Sequence, residues 1–353
     1  MRIAAVSTAL PPHCYSQDEI TLELQSIWKD RRSAIERLSQ FHGNSRVSQR
    51  HLALPLEEYR KPRTFGESND HWIRISQELG EEALQGALDK VGLTPKDVDI
   101  IFAVSVTGIA SPSLDARLAN RMGFRSDVKR VPIFGLGCVG GAAGIARAAD
   151  YVKAYPDQVA VLVAVELCTL TFQATDTSVA NMISTGLFGD GAAAVVVLGE
   201  ERANRMNIRG LKIQDTQSVF YHDTEDLMGW KISERGFDIV LSPAVPTVAR
   251  EQLVLDADRF LSTHDLTRAD IATWVCHPGG PKVLSAMQAG LELSDDDVKY
   301  AWQVLDSTGN LSSTSVLMVL NEFMNASAPA TGARGVLVAM GPAFCSEFVL
   351  FEW

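Results

Sequence analysis

The chain has 353 residues, 46% of them hydrophobic, and a formal net charge of -11. That length can bury a large core, as two domains or as one fused unit. The acidic balance, with no basic run interleaved with aromatics, excludes the cationic surface that nucleic acid demands.

The N-terminus, MRIAAVSTALPPH, carries one arginine and an apolar run ending at Pro11, which predicts a first strand rather than a cleaved leader. The longest later apolar run, VAVLVAV at 159–165, is far shorter than the roughly 18 residues that span a bilayer, so no integral membrane association is expected. The five cysteines (Cys14, Cys138, Cys168, Cys276, Cys345) are spread out and never in CxxC spacing. They fit neither a disulfide framework nor a zinc site, and a cytoplasmic protein with reduced thiols is expected.

A repeat organises the chain. LTPKDVDIIFAVSV, from Leu93, returns as LTRADIATWVCHP from Leu266, an offset of 173. Before each copy, around 75–91 and 249–263, apolar residues recur at helical spacing, as in Leu79, Ala83, Leu84, Ala87, Leu88 and Val91. An offset of 172 lays GLGCVGGAAGIARA over STGNLSSTSVLMVL, so that Cys138 falls opposite Asn310. FGDGAAAVVVLG at 188–199 and RGVLVAMGPAFCSEFVLF at 334–351 read as the strand-rich ends of the two copies. These matches predict a duplicated α/β unit with mixed sheets, residues 1–203 carrying the cysteine and residues 204–353 carrying a histidine and an asparagine.

Three polar residues could then meet. Cys138 follows Gly135 and Gly137 at the predicted start of a helix running to about Val152, where free amides and the helix dipole favour thiolate. A lone cysteine among glycines and alanines is more often packing. His277 stands at the carboxyl end of the strand ATWVC, before Pro278-Gly279-Gly280-Pro281, where ligands of α/β folds gather. By itself it is more often a hydrogen-bonded structural residue. An isolated Asn310 is more often a helix cap. The duplication shifts these odds, because it brings all three to one site.

GLGCVGGAAG around Cys138, FGDGAAA at 188–194, WVCHPGGPKVL around His277, TGNLSS around Asn310 and the terminal MGPAFCSE resemble the type III polyketide synthases of the chalcone synthase superfamily, among the thiolase-fold condensing enzymes. The likeness runs through nearly the whole chain in the family's order. It implies a Cys-His-Asn triad of Cys138, His277 and Asn310 and a homodimer of five-layered αβαβα subunits. It also implies acyl-CoA and malonyl-CoA as substrates, with no cofactor beyond these CoA thioesters and no metal. Phe188 matches one aromatic gatekeeper between the CoA tunnel and the reaction cavity. The other falls at Ile239, where the aromatic is lost and the cavity widens. The Gly-Pro-Ala loop at 341–343 departs from the family's Gly-Pro-Gly at Ala343.

The chemistry follows from the residue types. A cysteine thiolate exchanges one thioester for another at little thermodynamic cost. Decarboxylation of malonyl-CoA, with methylmalonyl-CoA as an alternative extender, supplies a carbanion whose enolate oxygen His277 and the Asn310 amide can stabilise. An aspartate in place of Asn310 would repel it. Lys282, Arg37 and Arg46 are the candidates for the CoA phosphates. Thr107, Ser111, Cys168, Ser184, Ile239 and Ser312 match positions lining the acyl cavity. Small side chains at 107, 111 and 168 predict a narrow channel for a long fatty acyl starter, each methylene contributing about 0.8 kcal/mol, and an alkylpyrone or alkylresorcinol product. The competing readings are a β-ketoacyl synthase performing one condensation, a cysteine acyl hydrolase and a non-catalytic dimer partner.

Overall fold

A computed structural model describes residues 1–326 and 330–353, with the side chains of 32–34 left aside. Nine strands form one sheet: β1 (Arg2–Ala9), β2 (Ile100–Val104), β3 (Lys129–Ile133), β4 (Val159–Leu167), β5 (Asp190–Leu198), β6 (Leu211–Phe220), β7 (Ile271–Cys276), β8 (Arg334–Gly341) and β9 (Cys345–Glu352). Their spatial order is β7-β8-β9-β6-β1-β5-β4-β2-β3.

The duplication is written in the pairing. In the first arm β1 runs antiparallel to β5, β5 antiparallel to β4, and β4 parallel to β2. In the second arm β6 runs antiparallel to β9, β9 antiparallel to β8, and β8 parallel to β7. Arg2 opposite Lys212 and Ile3 opposite Leu211 join the two arms, with the Ile213 amide donating to the Met1 carbonyl at 3.1 Å. The Leu-Thr-x-x-Asp repeats fold alike: Asp97 accepts from the Thr94 amide and hydroxyl, and Asp270 accepts from those of Thr267.

Strand alternation sorts the residues into layers, because successive side chains leave opposite faces. In the first arm Phe102, Val104, Leu162, Ala164, Val195 and Val197 face the central core. Their neighbours Ile101, Ala103, Val161, Val163, Val196 and Leu198 pack in a second core with the long helix Phe65–Asp89. Between the arms lie helices Gly140–Ala154 and Ser315–Asn325, and Val245–Ser262 with Pro281–Leu291 cover the far side. This is the five-layered αβαβα, thiolase-like arrangement expected.

Two sequence expectations shift. The helix before the first repeat copy starts at Phe65 rather than near 75, because Thr64 and Glu67 form a capping box ahead of a polar first turn that carries little apolar periodicity. The helix after Cys138 is preceded by a single 3-10 turn, Gly137–Val139, matched in the other half by Ser312–Thr314. In that register the offset is 175, and Cys138 lies opposite Ser313 rather than Asn310, which stands one turn earlier. The two central helices cross at Gly141, where a β-carbon would come within 2.2 Å of the Ser313 carbonyl oxygen.

Candidate active site

The turn that presents Cys138 depends on glycine. Gly135 and Gly137 have φ of 94° and 54°, in the left-handed region, and a β-carbon on Gly137 would lie 2.6 Å from the Pro342 ring. Cys138 remains partly exposed, and its thiol donates to the Ser312 hydroxyl at 3.7 Å. Burial of the sulfur pushes its pKa up to about 11, with the nearby Glu166 charge acting in the same direction and hydrogen bonding with Ser312 and Asn310 opposing it. The expected thiolate preference of a helix start is thus outweighed by desolvation of the sulfur.

Asn310 is held from every side. Its Nδ2 donates to the Gly279 carbonyl at 3.1 Å, and its Oδ1 accepts from the Ser312 amide at 2.8 Å and the Ser315 hydroxyl at 3.3 Å. Its backbone bonds to Leu187 and Gly189 fix it beside Phe188. Ser312, the inner link to Cys138, has φ of 49°, a strained conformation for a residue with a side chain.

His277 extends β7 by one residue, its amide donating to Val338 O at 3.0 Å. The ring is 3% exposed, and neither Nδ1 nor Nε2 has a hydrogen-bond partner. Burial holds its pKa down at about 3, so the imidazole is neutral, with one nitrogen to donate and one to accept. A β-carbon on Gly279 would come within 3.4 Å of Nε2, so the glycine whose carbonyl anchors Asn310 also lies against this ring. Cys138, Asn310 and His277 are therefore drawn together through Ser312 and Gly279.

One group escaped the sequence reading. Glu166, buried in β4, accepts from the Val106 amide at 3.1 Å, Thr107 Oγ1 at 2.8 Å, Ser105 Oγ at 3.4 Å and the Ser313 hydroxyl. Burial raises its pKa to about 7. A single acidic residue at the end of the run VAVLVAVEL was the available signal.

The pocket residues separate. Cys168, Ser184, Phe188 and Ile239 line one cavity of about 50 Å³, together with Arg50, Trp230 and Phe237. Thr107 borders a different hollow of about 10 Å³ beside Phe65. Ser111 is exposed and borders neither of these. The three small side chains at 107, 111 and 168 thus do not line one hollow. Lys282 and Arg46 both line an open cleft of about 490 Å³, together with Arg250 and Asn44. Arg46 stacks over Trp302 at 4.6 Å, whereas Arg37 is exposed and not among the residues of that cleft. Ala343 has φ of 54°, the geometry for which the family's glycine is suited.

A layered fold with a cysteine on a central helix start, a buried neutral histidine and an anchored amide defines an acyl-transferring condensing enzyme. The family model "Chalcone and stilbene synthases, N-terminal domain" matches residues 1–201 and its C-terminal counterpart matches 212–352, so the chain belongs to the chalcone and stilbene synthase family. It is a type III polyketide synthase, a transferase of decarboxylative Claisen condensation. The chain is 50% identical over 351 residues to a 1,3,6,8-tetrahydroxynaphthalene synthase of Streptomyces peucetius subsp. caesius, covering 99% of this chain and 93% of that protein. It is 36% identical to a putative chalcone synthase of Bacillus subtilis, over 99% and 98% of the two chains. The crystal structure of 1,3,6,8-tetrahydroxynaphthalene synthase from Streptomyces coelicolor superposes with a TM-score of 0.92 at 30% identity, covering 100% of this chain and 99% of that one. Among the described residues no helix is long and apolar enough to cross a membrane.

Proposed function

We propose that the enzyme condenses malonyl-CoA alone, priming with a malonyl group and closing a polyhydroxylated naphthalene of the tetrahydroxynaphthalene type. The observation that carries this reading is the 50% identity, over 99% of this chain, to the 1,3,6,8-tetrahydroxynaphthalene synthase of Streptomyces peucetius subsp. caesius. The buried guanidinium of Arg50 borders the cavity that Phe188 and Ile239 line, and such a wall suits a carboxylate-bearing starter better than a fatty chain. The long-chain starter, with an alkylpyrone or alkylresorcinol product, is the second reading, favoured by the small Cys168 and Ser184 in the cavity wall.

In this reading Cys138 is the nucleophile. Its proton passes to His277 as sulfur attacks the thioester carbonyl, and CoA leaves as the thiol. An extender malonyl-CoA loses CO2, the electrons of the broken bond forming an enolate whose oxygen accepts from Asn310 Nδ2 and the His277 N–H. The carbanion attacks the Cys138 thioester and releases the cysteine thiolate. Lys282, Arg46 and Arg250 hold the CoA phosphates at the open cleft, and no bound cofactor enters. The assembly is a homodimer of two-unit chains divided near 203, with Phe134, 52% exposed next to edge strand β3, in the interface.

Product analysis tests the proposal. Purified protein is given malonyl-CoA alone and then with medium- and long-chain acyl-CoAs, and products are read by mass spectrometry. A ten-carbon tetrahydroxylated product from malonyl-CoA alone is expected. No turnover without a fatty acyl starter would establish the second reading instead. Light scattering at twice the 38.4 kDa chain mass checks the dimer.

A further inference from the structure

Arg50 is a buried cation that the mechanism above does not use. It lies on the short strand Gln49–Leu52 and is 2% exposed. Its Nε donates to Gln17 Oε1 at 3.2 Å and its Nη1 to the Phe188 carbonyl at 2.7 Å, but its Nη2 has no hydrogen-bond partner. Asp190 is the opposite charge that acts on it, yet that carboxylate accepts from the Ala53 amide at 2.6 Å, the Thr169 amide at 2.8 Å and the Thr169 hydroxyl. A buried guanidinium with an unmade hydrogen bond is costly, and a planar N–H2 edge suits a carboxylate.

The same side chain lines the partly open cavity of about 50 Å³ with Phe188, Cys168 and Ser184. A β-carbon on Gly309, the residue before Asn310, would lie 3.0 Å from Arg50 Cδ, and Phe188, whose carbonyl Arg50 holds, is bridged to Asn310, so this wall adjoins the catalytic candidates. The other ionisable group bordering the cavity that carries an opposing charge is Glu23, and Arg60 engages both of its oxygens. The remaining lining is neutral, and the volume suits a small polar group.

We propose that Arg50 recognises the free carboxylate of a malonyl group carried on Cys138, and so selects the starter. This rests on the malonyl-priming reading. A neutral acyl group of the same size leaves Nη2 unpaired, and a site built to pair a polar group discriminates strongly against an analogue that lacks it. Arg50 acts here on specificity and takes no part in bond making.

Acetoacetyl-CoA is the test substrate, because it replaces the malonyl carboxylate by a neutral acetyl group of similar size. The enzyme is mixed with equal amounts of isotopically labelled malonyl-CoA and acetoacetyl-CoA, and adducts on Cys138 are quantified by intact-protein mass spectrometry, decarboxylated label included. Wild type is expected to load malonyl about tenfold or more over acetoacetyl. Arg50→Gln should bring the ratio near one while acetoacetyl loading persists, and Arg50→Lys should retain part of the preference. An unchanged ratio in folded Arg50→Gln, or a parallel loss of both adducts, overturns the proposal. Should neither variant fold, the wild type decides: malonate, and not acetoacetate, must slow iodoacetamide alkylation of Cys138, and equal effects refute the assignment. A retained malonyl preference in an enzyme that makes no product from malonyl-CoA alone would overturn the parent reading and leave this one standing.

Discussion

The Cys138 thiol meets the Ser312 hydroxyl at 3.7 Å, across the junction of the two central helices. Each residue belongs to a 3-10 turn that opens its helix, one from each half of the duplication. The Ser312 amide also donates to Asn310 Oδ1, so the turn that faces the sulfur orients the asparagine amide as well. This relationship couples the proposed nucleophile to the group proposed to stabilise the enolate.

Replacing Cys138 with Ala is expected to remove chain extension, by on the order of a thousandfold or more, since no other group can hold the acyl chain. Intact-protein mass spectrometry should show no acyl adduct, while the thermal midpoint stays close to wild type because the thiol makes only weak hydrogen bonds, such as that to Ser312 at 3.7 Å. Product formation by the variant would remove Cys138 from the nucleophile role.

Asn310→Asp keeps an acceptor for the Ser312 amide but loses the Nδ2 donor and places a negative charge where the enolate develops. Malonyl-CoA decarboxylation should fall about a hundredfold to a thousandfold. Release of labelled CO2 measures this step directly, with intact-protein mass spectrometry showing whether Cys138 still loads.

Glu166 gives a pH signature. Burial raises its folded pKa from the ordinary 4.5 to about 7, so the folded state binds more protons than the unfolded chain between those values. Stability from this group is present below about pH 4.5 and is lost as pH rises through about 7. Glu166→Gln should therefore gain on wild type across that window, by on the order of 3 kcal/mol at its upper end, with a constant difference above it. Denaturant unfolding of both proteins from pH 4 to 9 measures the difference, and a gap independent of pH would contradict it.

The cleft residues separate by salt dependence. Lys282→Ala should raise the KM for CoA thioesters several-fold with little change in kcat, and the effect should shrink as added salt screens the phosphates. Arg37→Ala should leave KM unchanged, since Arg37 does not border the cleft. Steady-state kinetics at low and high ionic strength decide both.

Gly141→Ala puts a methyl group where the Ser313 carbonyl already stands, at 2.2 Å. Helix Gly140–Ala154 must shift away from its partner, at roughly 1–3 kcal/mol or more. A lowered thermal midpoint together with impaired chain extension is expected, because the same crossing positions Cys138.

Much of this was legible in the chain. The Leu-Thr-x-x-Asp repeats exposed the duplication because a local capping box needs only residues three apart, and each copy folds in the same way. Glycines before Cys138 and the strand before His277 placed two candidate groups, since turns and strand ends are set by neighbouring residues. The offset between Cys138 and Asn310 misled by one turn, as matching letters do not reveal which residues form a 3-10 step.

Starter selection was the part least visible in sequence. Small residues at 107, 111 and 168 suggested one channel, but Thr107 is drawn to Glu166, Ser111 lies at the surface, and Cys168 belongs to another cavity. Side-chain size is a property of the chain, whereas the space it leaves depends on which distant elements pack there. The unpaired Arg50 nitrogen is likewise a product of that packing, with Gln17, Phe188 and Asp190 arriving from separate segments. Fold class and reactive residue types were thus determined by local pattern and repetition. Cavity size, the burial that keeps His277 neutral and the unpaired guanidinium nitrogen of a residue lining the cavity were decided by tertiary structure, because desolvation and unmade hydrogen bonds exist only once remote strands and helices close around a group.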